Sequence, residues 1–249
     1  MKSDIVCIYG KHPVEAALTL RPESVQKVFV DPEQHTELDA LARKKNVFRV
    51  GFSMKDLQKH IPRDAVHQSI AAFIDTDSLV VPFEEFIDSL DVSTNPALAL
   101  LGELHDPHNV GAIIRSASAF NLSGVLIPER RQVPVTGAVI KASVGEAFRI
   151  PLVEIGNVNQ TVERLKKAGF WIYGLSGAGE KTLSEESFDA PTVIIIGNEG
   201  KGIREKTGEH CDALLNIPMS EHVESLNASV SAAIAFYEWN HKHHGKKEV

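Results

Sequence analysis

A chain of 249 residues has room for one large domain or two small ones. Hydrophobic residues make up 43% of it and charged residues 24%, which is ordinary for a globular protein with an apolar core. No run of residues approaches the ~20 consecutive apolar positions of a membrane-spanning helix, and the N-terminus has no signal-peptide pattern. The net charge of −7 argues against a nucleic-acid partner, because nucleic-acid-binding domains are usually basic.

The charge is unevenly distributed along the chain. Six acidic residues and no basic residue fall between Asp75 and Asp91, so the remainder of the chain is close to neutral. That remainder contains basic groups at 43–45, at 130–131 and at Lys201, Arg204 and Lys206. Each group is a candidate for a phosphate contact, but such clusters usually form solvated faces. Charge alone therefore decides neither for nor against an RNA partner.

The cysteine and histidine content bears on compartment and metal binding. Only Cys7 and Cys211 are present, which excludes a disulfide framework and makes the reducing cytoplasm the expected location. No Cys or His spacing typical of a zinc site occurs. His241, His243 and His244 lie near the C-terminus, where a solvated tail is the better interpretation than a metal site. We therefore expect no metal cofactor.

The first seventy or so residues have the pattern of a small α/β unit. Strands are predicted at 25–30, 47–50 and 68–74, and helices at 12–20, 34–45 and 54–60. The acidic segment that follows is the best candidate for a linker, and it includes a short amphipathic helix at 83–90. The expected organisation is a first domain over residues 1–75, a linker over 76–95 and a second domain over 96–249.

From residue 97 onward, strand and helix patterns alternate regularly. Residues 97–104 form a near-continuous apolar run, as expected of a strand that is buried on both faces of a parallel sheet. Further strands are predicted at 124–127, 150–153, 170–174, 192–196 and 213–216. Helices are predicted at 109–120, 136–142, 158–168 and 225–242, and Asn109 and Ser225 are the expected N-caps of the first and last. The alternation predicts an α/β domain with a mostly parallel sheet.

Three loops of the second domain concentrate polar residues and glycines at predicted strand ends, where open α/β sheets bind ligands. The first, 105–111, leads into a helix that carries Arg115, which is either a surface charge or a functional group. The second, 197–202, has three glycines in six residues, so its backbone adopts unusual angles or approaches a ligand closely. Glu199 in its middle would repel a phosphate. The third comprises 217–219 and 225–229.

Two nucleotide-binding motifs are disfavoured. Residues 174–182 resemble a phosphate-binding P-loop, which requires glycine directly before the lysine. Here Glu180 separates Gly179 from Lys181 and adds a negative charge. No GxGxxG motif follows an early strand, which argues against a dinucleotide site.

The three loops, in this order, resemble the signature motifs of the SpoU (TrmH-like) class of the SPOUT RNA methyltransferases. They are DPHNVGAIIRSASAF at 106–120, IIIGNEGKGI at 194–203 and IPMSEHVESLNASVSAAIAFYE at 217–238. IYGKHPVEAAL and AVHQSIAA, in the first seventy-two residues, resemble the N-terminal domain of the bacterial 23S rRNA guanosine-2′-O-methyltransferase subgroup. Asn198 is a departure, since that subgroup more often has alanine before the glutamate.

The resemblance implies a fold, a cofactor and partners. The fold is α/β: a C-terminal, trefoil-knotted SPOUT methyltransferase domain with a mostly parallel sheet, and a small N-terminal α/β domain of the L30e-like RNA-binding type. The implied cofactor is S-adenosyl-L-methionine (AdoMet). The implied substrate is a ribose 2′-hydroxyl in structured RNA, a guanosine in the peptidyl-transferase region of 23S rRNA or of a large-subunit precursor. The implied assembly is a homodimer with the active site at its interface, where Arg115 of one subunit completes the site of the other, and no membrane partner is expected.

The resemblance also implies site residues, position by position. The expected catalytic residues are Asn109, Arg115, Glu199, Ser225 and Asn227. The expected cofactor-binding residues are Leu175, Ser176, Gly177, Gly197, Ile217, Met219 and Leu226. A guanidinium stays protonated in proteins, so we expect Arg115 to bind phosphate and stabilise the developing alkoxide rather than act as a base. The other four are expected to orient the substrate and the loops.

Two alternatives remain open. A tRNA ribose methyltransferase would keep the chemistry and change the RNA, but the extra N-terminal domain favours rRNA. A non-catalytic knotted RNA-binding protein, such as a ribosome-assembly factor, would keep only the fold. The presence of all five expected catalytic residues favours an enzyme over that second alternative.

Overall fold

The computed structural model describes residues 5–62, 64–198, 200 and 202–244. The N-terminal residues form the first of its two sheets. This sheet contains β1 (Ile5–Tyr9), β2 (Val25–Val30), β3 (Arg49–Gly51) and β4 (Ile70–Asp75) in the order β1-β4-β2-β3. Strand β4 runs antiparallel to β1 and β2, while β2 and β3 are parallel. The connecting helices are α1 (Lys11–Leu20), α2 (Thr36–Lys44) and α3 (Met54–Leu57). Strand β1 was not among the predicted strands.

The second sheet confirms the predicted α/β architecture with a mostly parallel sheet. Its strands are β5 (Val80–Pro82), β6 (Ala97–Leu101), β7 (Gly124–Pro128), β8 (Leu152–Ile155), β9 (Trp171–Leu175), β10 (Lys181–Thr182), β11 (Thr192–Ile196) and β12 (Ala213–Asn216). Their order is β10-β12-β9-β11-β6-β7-β8-β5, and every pairing between them is parallel. All residues of β6, β7 and β11 are buried, as the apolar runs indicated.

The helices of this half of the chain are α4 (Phe83–Ser89), α5 (Pro107–Ala119), α6 (Gly137–Ala142), α7 (Val158–Lys167), α8 (Glu205–Gly208) and α9 (Ala228–His244). Helix α5 is packed against α6 so closely that a Cβ atom on Gly111 would lie 2.4 Å from the Cβ of Ala142. Gly111 thus permits the close packing of these two helices inside the subunit. No helix in the described part of the chain is long and apolar enough to cross a membrane.

Both predicted N-caps were wrong. Helix α5 begins earlier than expected, because the Asp106 carboxylate accepts a 2.8 Å hydrogen bond from the His108 amide and Pro107 occupies the first turn. Asn109 therefore lies inside the helix. Helix α9 begins later than expected, because the Asn227 side chain, and not that of Ser225, accepts hydrogen bonds from the amides of Ser229 and Val230.

The segment 76–95, expected to be a linker, contributes to the second sheet. Strand β5 pairs with β8, with Val80 opposite Leu152. Phe83 and Phe86 of α4 are buried in an apolar cluster with residues of β7, β8 and β9. The intervening acidic residues point away from this cluster or are only partly buried, which explains why composition alone resembled a linker.

One apolar core extends across both halves of the molecule. It includes Ile8 and Val14 from the N-terminal sheet and its helix, together with Val139 and Phe148 from the segment around α6. Two glycines allow the backbones to approach. A Cβ on Gly137 would lie 2.5 Å from the carbonyl oxygen of Cys7, and one on Gly145, which has φ +89°, would lie 2.7 Å from the Cβ of Ala16.

Candidate active site

A cavity of about 210 Å³ lies where β9, β11 and β12 end and α9 begins. Because these strands are parallel neighbours, the loops that follow them meet at one edge of the sheet. The cavity is lined by every residue expected to bind a cofactor: Leu175, Ser176, Gly177, Gly197, Ile217, Met219 and Leu226. The structure therefore brings together seven positions that are up to 51 residues apart in the sequence.

The cavity wall also contains residues that were not among the expected site residues. They include Leu215 and Ile196 at strand ends, Glu224, Ala228 and Ser231 near the start of α9, and Asn198, Gly200 and Gly202. The apolar members could have been found from the strand-end rule. Glu224 and Ser231 lie within the third motif, but nothing in their spacing marked them as cavity-lining residues.

The glycine-rich loop after β11 folds back on itself. Asn198 and Gly202 exchange two backbone hydrogen bonds of 2.9 Å, and a Cβ on Gly197 would lie 2.4 Å from the carbonyl carbon of Gly202. The Asn198 side chain accepts from the Gly200 amide at 3.0 Å and donates to the Glu103 carbonyl oxygen at 2.8 Å. The residue that departs from the subgroup pattern thus ties this loop to the end of β6.

Two of the expected catalytic residues are in direct contact. The Asn227 amide nitrogen donates a 3.0 Å hydrogen bond to the Asn109 side-chain oxygen. Asn109 is 7% exposed, within the first turn of α5, and Asn227 is the cap of α9. This bond joins the first and third motif loops, and it brings the start of α9, which lines the cavity, against the start of α5.

The other expected catalytic residues are placed differently. Ser225 is exposed and lines the cavity. Arg115 is exposed on α5, and within the described part of the chain it has no hydrogen bond or ion pair with any other candidate. Glu199 lies outside the described residues. Within one subunit, the described structure therefore groups Ser225, Asn109 and Asn227 near the cavity, while Arg115 stands apart.

Buried ionisable groups lie behind the cavity, on β9 and on the segment before β11. Burial raises the pKa of Tyr173 well above its usual range, and the nearby Glu186 carboxylate adds to this effect. Burial would by itself raise the pKa of Glu186, but hydrogen bonds from Lys181 and from the Phe188 amide bring it below its usual value. Tyr173 is consequently neutral and Glu186 charged, which is a structural arrangement rather than acid–base machinery.

Metal chemistry has no evident site here. Among the residues that the structure describes, no group of three or more His, Cys, Asp or Glu side chains is placed to hold a metal ion. The described lining of the cavity offers main-chain groups, hydroxyls, the Asn198 amide, one carboxylate and apolar side chains. Such a lining suits an organic ligand with both apolar and hydrogen-bonding parts.

Comparison with known proteins identifies the class. The family model described as SpoU rRNA Methylase matches residues 96–237, more than half of the chain. A second model, described as RNA 2′-O ribose methyltransferase substrate binding, matches residues 7–79. The chain belongs to the SpoU rRNA methylase family.

Individual relatives match along nearly the whole length. The 23S rRNA (guanosine-2′-O-)-methyltransferase RlmB of Pseudomonas syringae pathovar tomato is 37% identical over 243 residues, which is 95% of each chain. The protein of the same name from Neisseria meningitidis serogroup B is 35% identical over 93% of each chain. Among solved structures, the SpoU methyltransferase AviRb from Streptomyces viridochromogenes in complex with AdoMet has the same fold. Its TM-score is 0.79 at 22% identity, covering 97% of this chain and 91% of that one.

Proposed function

We propose that this protein transfers the methyl group of AdoMet to the ribose 2′-hydroxyl of a guanosine in 23S rRNA. The observation that carries the proposal is the 37% identity to a 23S rRNA (guanosine-2′-O-)-methyltransferase over 95% of both chains. The cavity supports it, because the seven residues that the resemblance assigns to the cofactor all line this one cavity. The proposed location of the guanosine is the peptidyl-transferase region. The proposed location of the enzyme is the cytoplasm.

The chemistry of the cavity fits AdoMet. Leu175, Ile217, Met219 and Leu226 supply apolar surface for a purine ring, and the main chain around them supplies donors and acceptors for its edge. The Glu224 carboxylate and the hydroxyls of Ser176 and Ser225 suit the hydroxyl and ammonium groups of such a ligand. When bound, AdoMet supplies an electrophilic methyl group on a sulfonium centre.

The protein's own part in the reaction is to bind and orient the ribose and to stabilise negative charge. A 2′-hydroxyl becomes a strong nucleophile only as its proton is lost, so charge develops on that oxygen. We assign to Arg115 the binding of the adjacent phosphate and the electrostatic stabilisation of this oxygen. Asn109, Asn227, Ser225 and Glu199 orient the substrate and the motif loops through hydrogen bonds.

The proposed assembly is a homodimer with the active site at its interface. The exposed apolar side chains of α9 form one stripe at 230, 234 and 237, and they line a shallow groove with Ala112 and Ser116 of α5. Arg115 lies on α5 beside this groove. Pairing two subunits across it by a two-fold axis would place Arg115 of one subunit near the site of the other.

We also propose a knotted C-terminal half and a division of the chain into two domains. A deep trefoil knot in the last third of the chain is supported by the strand order, in which β9 lies between β11 and β12. We retain an L30e-like RNA-binding domain over residues 1–75 and a methyltransferase domain over 96–249, joined by 76–95. The matches of the two family models at 7–79 and 96–237 support this division.

The test is methyl transfer to defined RNAs. The full chain is incubated with methyl-labelled AdoMet and with unmodified 23S rRNA, 16S rRNA or tRNA, and the RNA is digested to nucleosides. We expect label in 2′-O-methylguanosine from 23S rRNA. Removing the charge of Arg115 with Arg115→Ala should lower the rate by about 10²–10³-fold, while Lys167→Ala, which removes an exposed charge of α7, should have no effect.

Other outcomes are equally informative. Label in tRNA would keep the chemistry and contradict the assignment to 23S rRNA. Transfer to no RNA, and none to a large-subunit precursor particle, would contradict the enzyme assignment and favour a non-catalytic RNA-binding factor.

A further inference from the structure

A second and larger depression lies beside the proposed cofactor cavity. This cleft, of about 800 Å³, opens where β6, β7, β8 and β11 end, and residues 102–103, 128–131, 156–159 and 203–207 line it. Gly197 lines both the cleft and the cofactor cavity. A polymer bound in the cleft would therefore lie next to the cofactor.

The lining of the cleft is cationic on a chain whose net charge is −7. Among the described residues it contains four basic side chains, all exposed: Arg130, Arg131, Arg204 and Lys206. The carboxylates that line it are Glu103, Glu129 and Glu205. Basic residues thus outnumber acidic ones here, although acidic residues outnumber basic ones in the whole chain.

The carboxylate of Glu103 holds two of these arginines. One of its oxygens lies 2.5 Å from Arg204 and the other 3.9 Å from Arg131, so residues after β7 and β11 are drawn toward the end of β6. Each guanidinium has five N–H donors, so most of them remain available. Within the described part of the chain, Arg130 and Lys206 form no ion pair or hydrogen bond with any residue, and this includes their neighbours Glu129 and Glu205.

The amino end of α7 adds to the positive potential. Residues 156–159 line the cleft, and the Asn157 side chain caps the helix by accepting a 3.1 Å hydrogen bond from the Gln160 amide. The amino end of a helix attracts anions, because its amide dipoles point toward it. The side chain of Asn159 accepts a 3.2 Å hydrogen bond from Thr207, which fixes the end of α7 against α8.

We propose that this cleft holds the phosphodiester backbone of the RNA strand that flanks the methylated ribose, with Arg130 and Lys206 in contact with phosphates. The inference rests on the proposed function and names where its substrate lies. Three features favour a phosphate chain over a compact ligand: the open shape, cations on two separate segments, Arg130 after β7 and Lys206 in α8, and the continuity with the cofactor cavity at Gly197. The sequence alone offered Arg130, Arg204 and Lys206 only as separate basic groups.

The experiment compares two double variants that change the net charge equally. Arg130→Ala/Lys206→Ala removes the two unpaired cations of the cleft, and Arg164→Ala/Lys167→Ala removes two exposed cations of α7 outside it. Binding of an unmodified 23S rRNA fragment is measured over a series of salt concentrations. Methyl-transfer kinetics and AdoMet binding by calorimetry are measured on the same proteins.

We expect the cleft variant to bind RNA roughly 10-fold or more weakly at moderate salt. The slope of log K against log salt should fall by about 1 for each lost phosphate contact, hence by about 2. The KM for RNA should rise more than kcat falls, and AdoMet affinity should be unchanged. The α7 variant should match the wild type in the salt slope.

Equal RNA affinity and equal salt slope in the two double variants would overturn the cleft assignment, even if the wild type methylates the RNA. The two proposals fail separately. If the two double variants show the predicted difference in salt slope but the wild type transfers no methyl group, the proposed methyltransferase activity is contradicted and the cleft remains an RNA site.

Discussion

The Asn227 side chain makes hydrogen bonds to two different helices. Its oxygen caps α9, accepting from the Ser229 amide at 2.9 Å and the Ser229 hydroxyl at 2.6 Å. Its nitrogen donates to Asn109 at 3.0 Å. An aspartate carboxylate would also cap a helix but has no hydrogen to donate, and a serine hydroxyl can accept and donate but is too short to reach both partners. The residue therefore couples the stability of α9 to the position of the first motif loop.

Two substitutions separate these roles. Asn227→Ser keeps a capping hydroxyl but is too short to reach Asn109, whereas Asn227→Ala loses both functions. We expect both variants to lose methyl transfer to a similar degree. Only the alanine variant should also be destabilised, by about 1 kcal/mol for the lost cap, which corresponds to a fall in Tm of about 2–4 °C for a chain of this size.

Thermal denaturation and initial rates on 23S rRNA measure the two effects. Wild-type activity in the serine variant would show that the amide–amide contact is dispensable. An equal loss of Tm in both variants would show that the cap contributes nothing to stability.

At the scale of elements, helix α9 exposes a row of apolar side chains on its surface. Val230, Ile234 and Tyr237 are 47%, 36% and 52% exposed, and their spacing places them on one face of the helix. Scattered single apolar residues on a surface need no partner, but an aligned stripe beside a groove is typical of an interface. This stripe supports the proposed homodimer.

A glutamate in the middle of this stripe should prevent association. We expect Ile234→Glu to sediment as a monomer at concentrations where the wild type is a dimer, because a charge would be buried without a partner. Methyl transfer should be lost with the dimer, since Arg115 of a second subunit would be missing. Val66→Glu, which places the same charge at a 74% exposed valine of the N-terminal half, is the control. A dimeric Ile234→Glu would exclude this face as the interface.

The sequence predicted best those strands whose own residues form a clear hydrophobic pattern. The strands 25–30, 192–196 and 213–216 were predicted with the bounds they have, because each is an apolar or alternating run between turn residues. Strands β5 and β10 have three and two residues and exist only through pairing with β8 and β12. Their residues carry no periodicity, so sequence patterns could not reveal them.

Across the whole molecule, the two halves are held together at close range. In addition to the shared apolar core, the Lys141 ammonium lies 4.0 Å from the centre of the Tyr9 ring, a cation–π contact between α6 and β1. Gly137 and Gly145 permit this approach. The sequence indicated two domains but not their contact, because such surfaces are recognisable only once both have folded. The Asn109–Asn227 bond, across 118 positions, was likewise beyond sequence patterns.

Filling Gly137 should loosen this arrangement. The Cβ would lie 2.5 Å from the Cys7 carbonyl oxygen, which is backbone and cannot rotate away. We expect Gly137→Val to increase the radius of gyration above the ~18 Å of a compact chain of this length, as measured by small-angle X-ray scattering on the monomeric Ile234→Glu background. Gly51→Val, at a position with no atom within 4 Å of an added Cβ, should leave it unchanged. An unaltered radius in both would mean that the contact yields without separation.

The large sheet ends in two very short strands, and this has a consequence for solubility at high concentration. An exposed edge strand offers unpaired backbone groups to another chain and can seed fibrils. Here β5 contributes three residues that end in Pro82, with acidic residues before and after it, and β10 contributes two. The acidic segment that resembled a linker thus protects one edge of the large sheet from strand-to-strand aggregation.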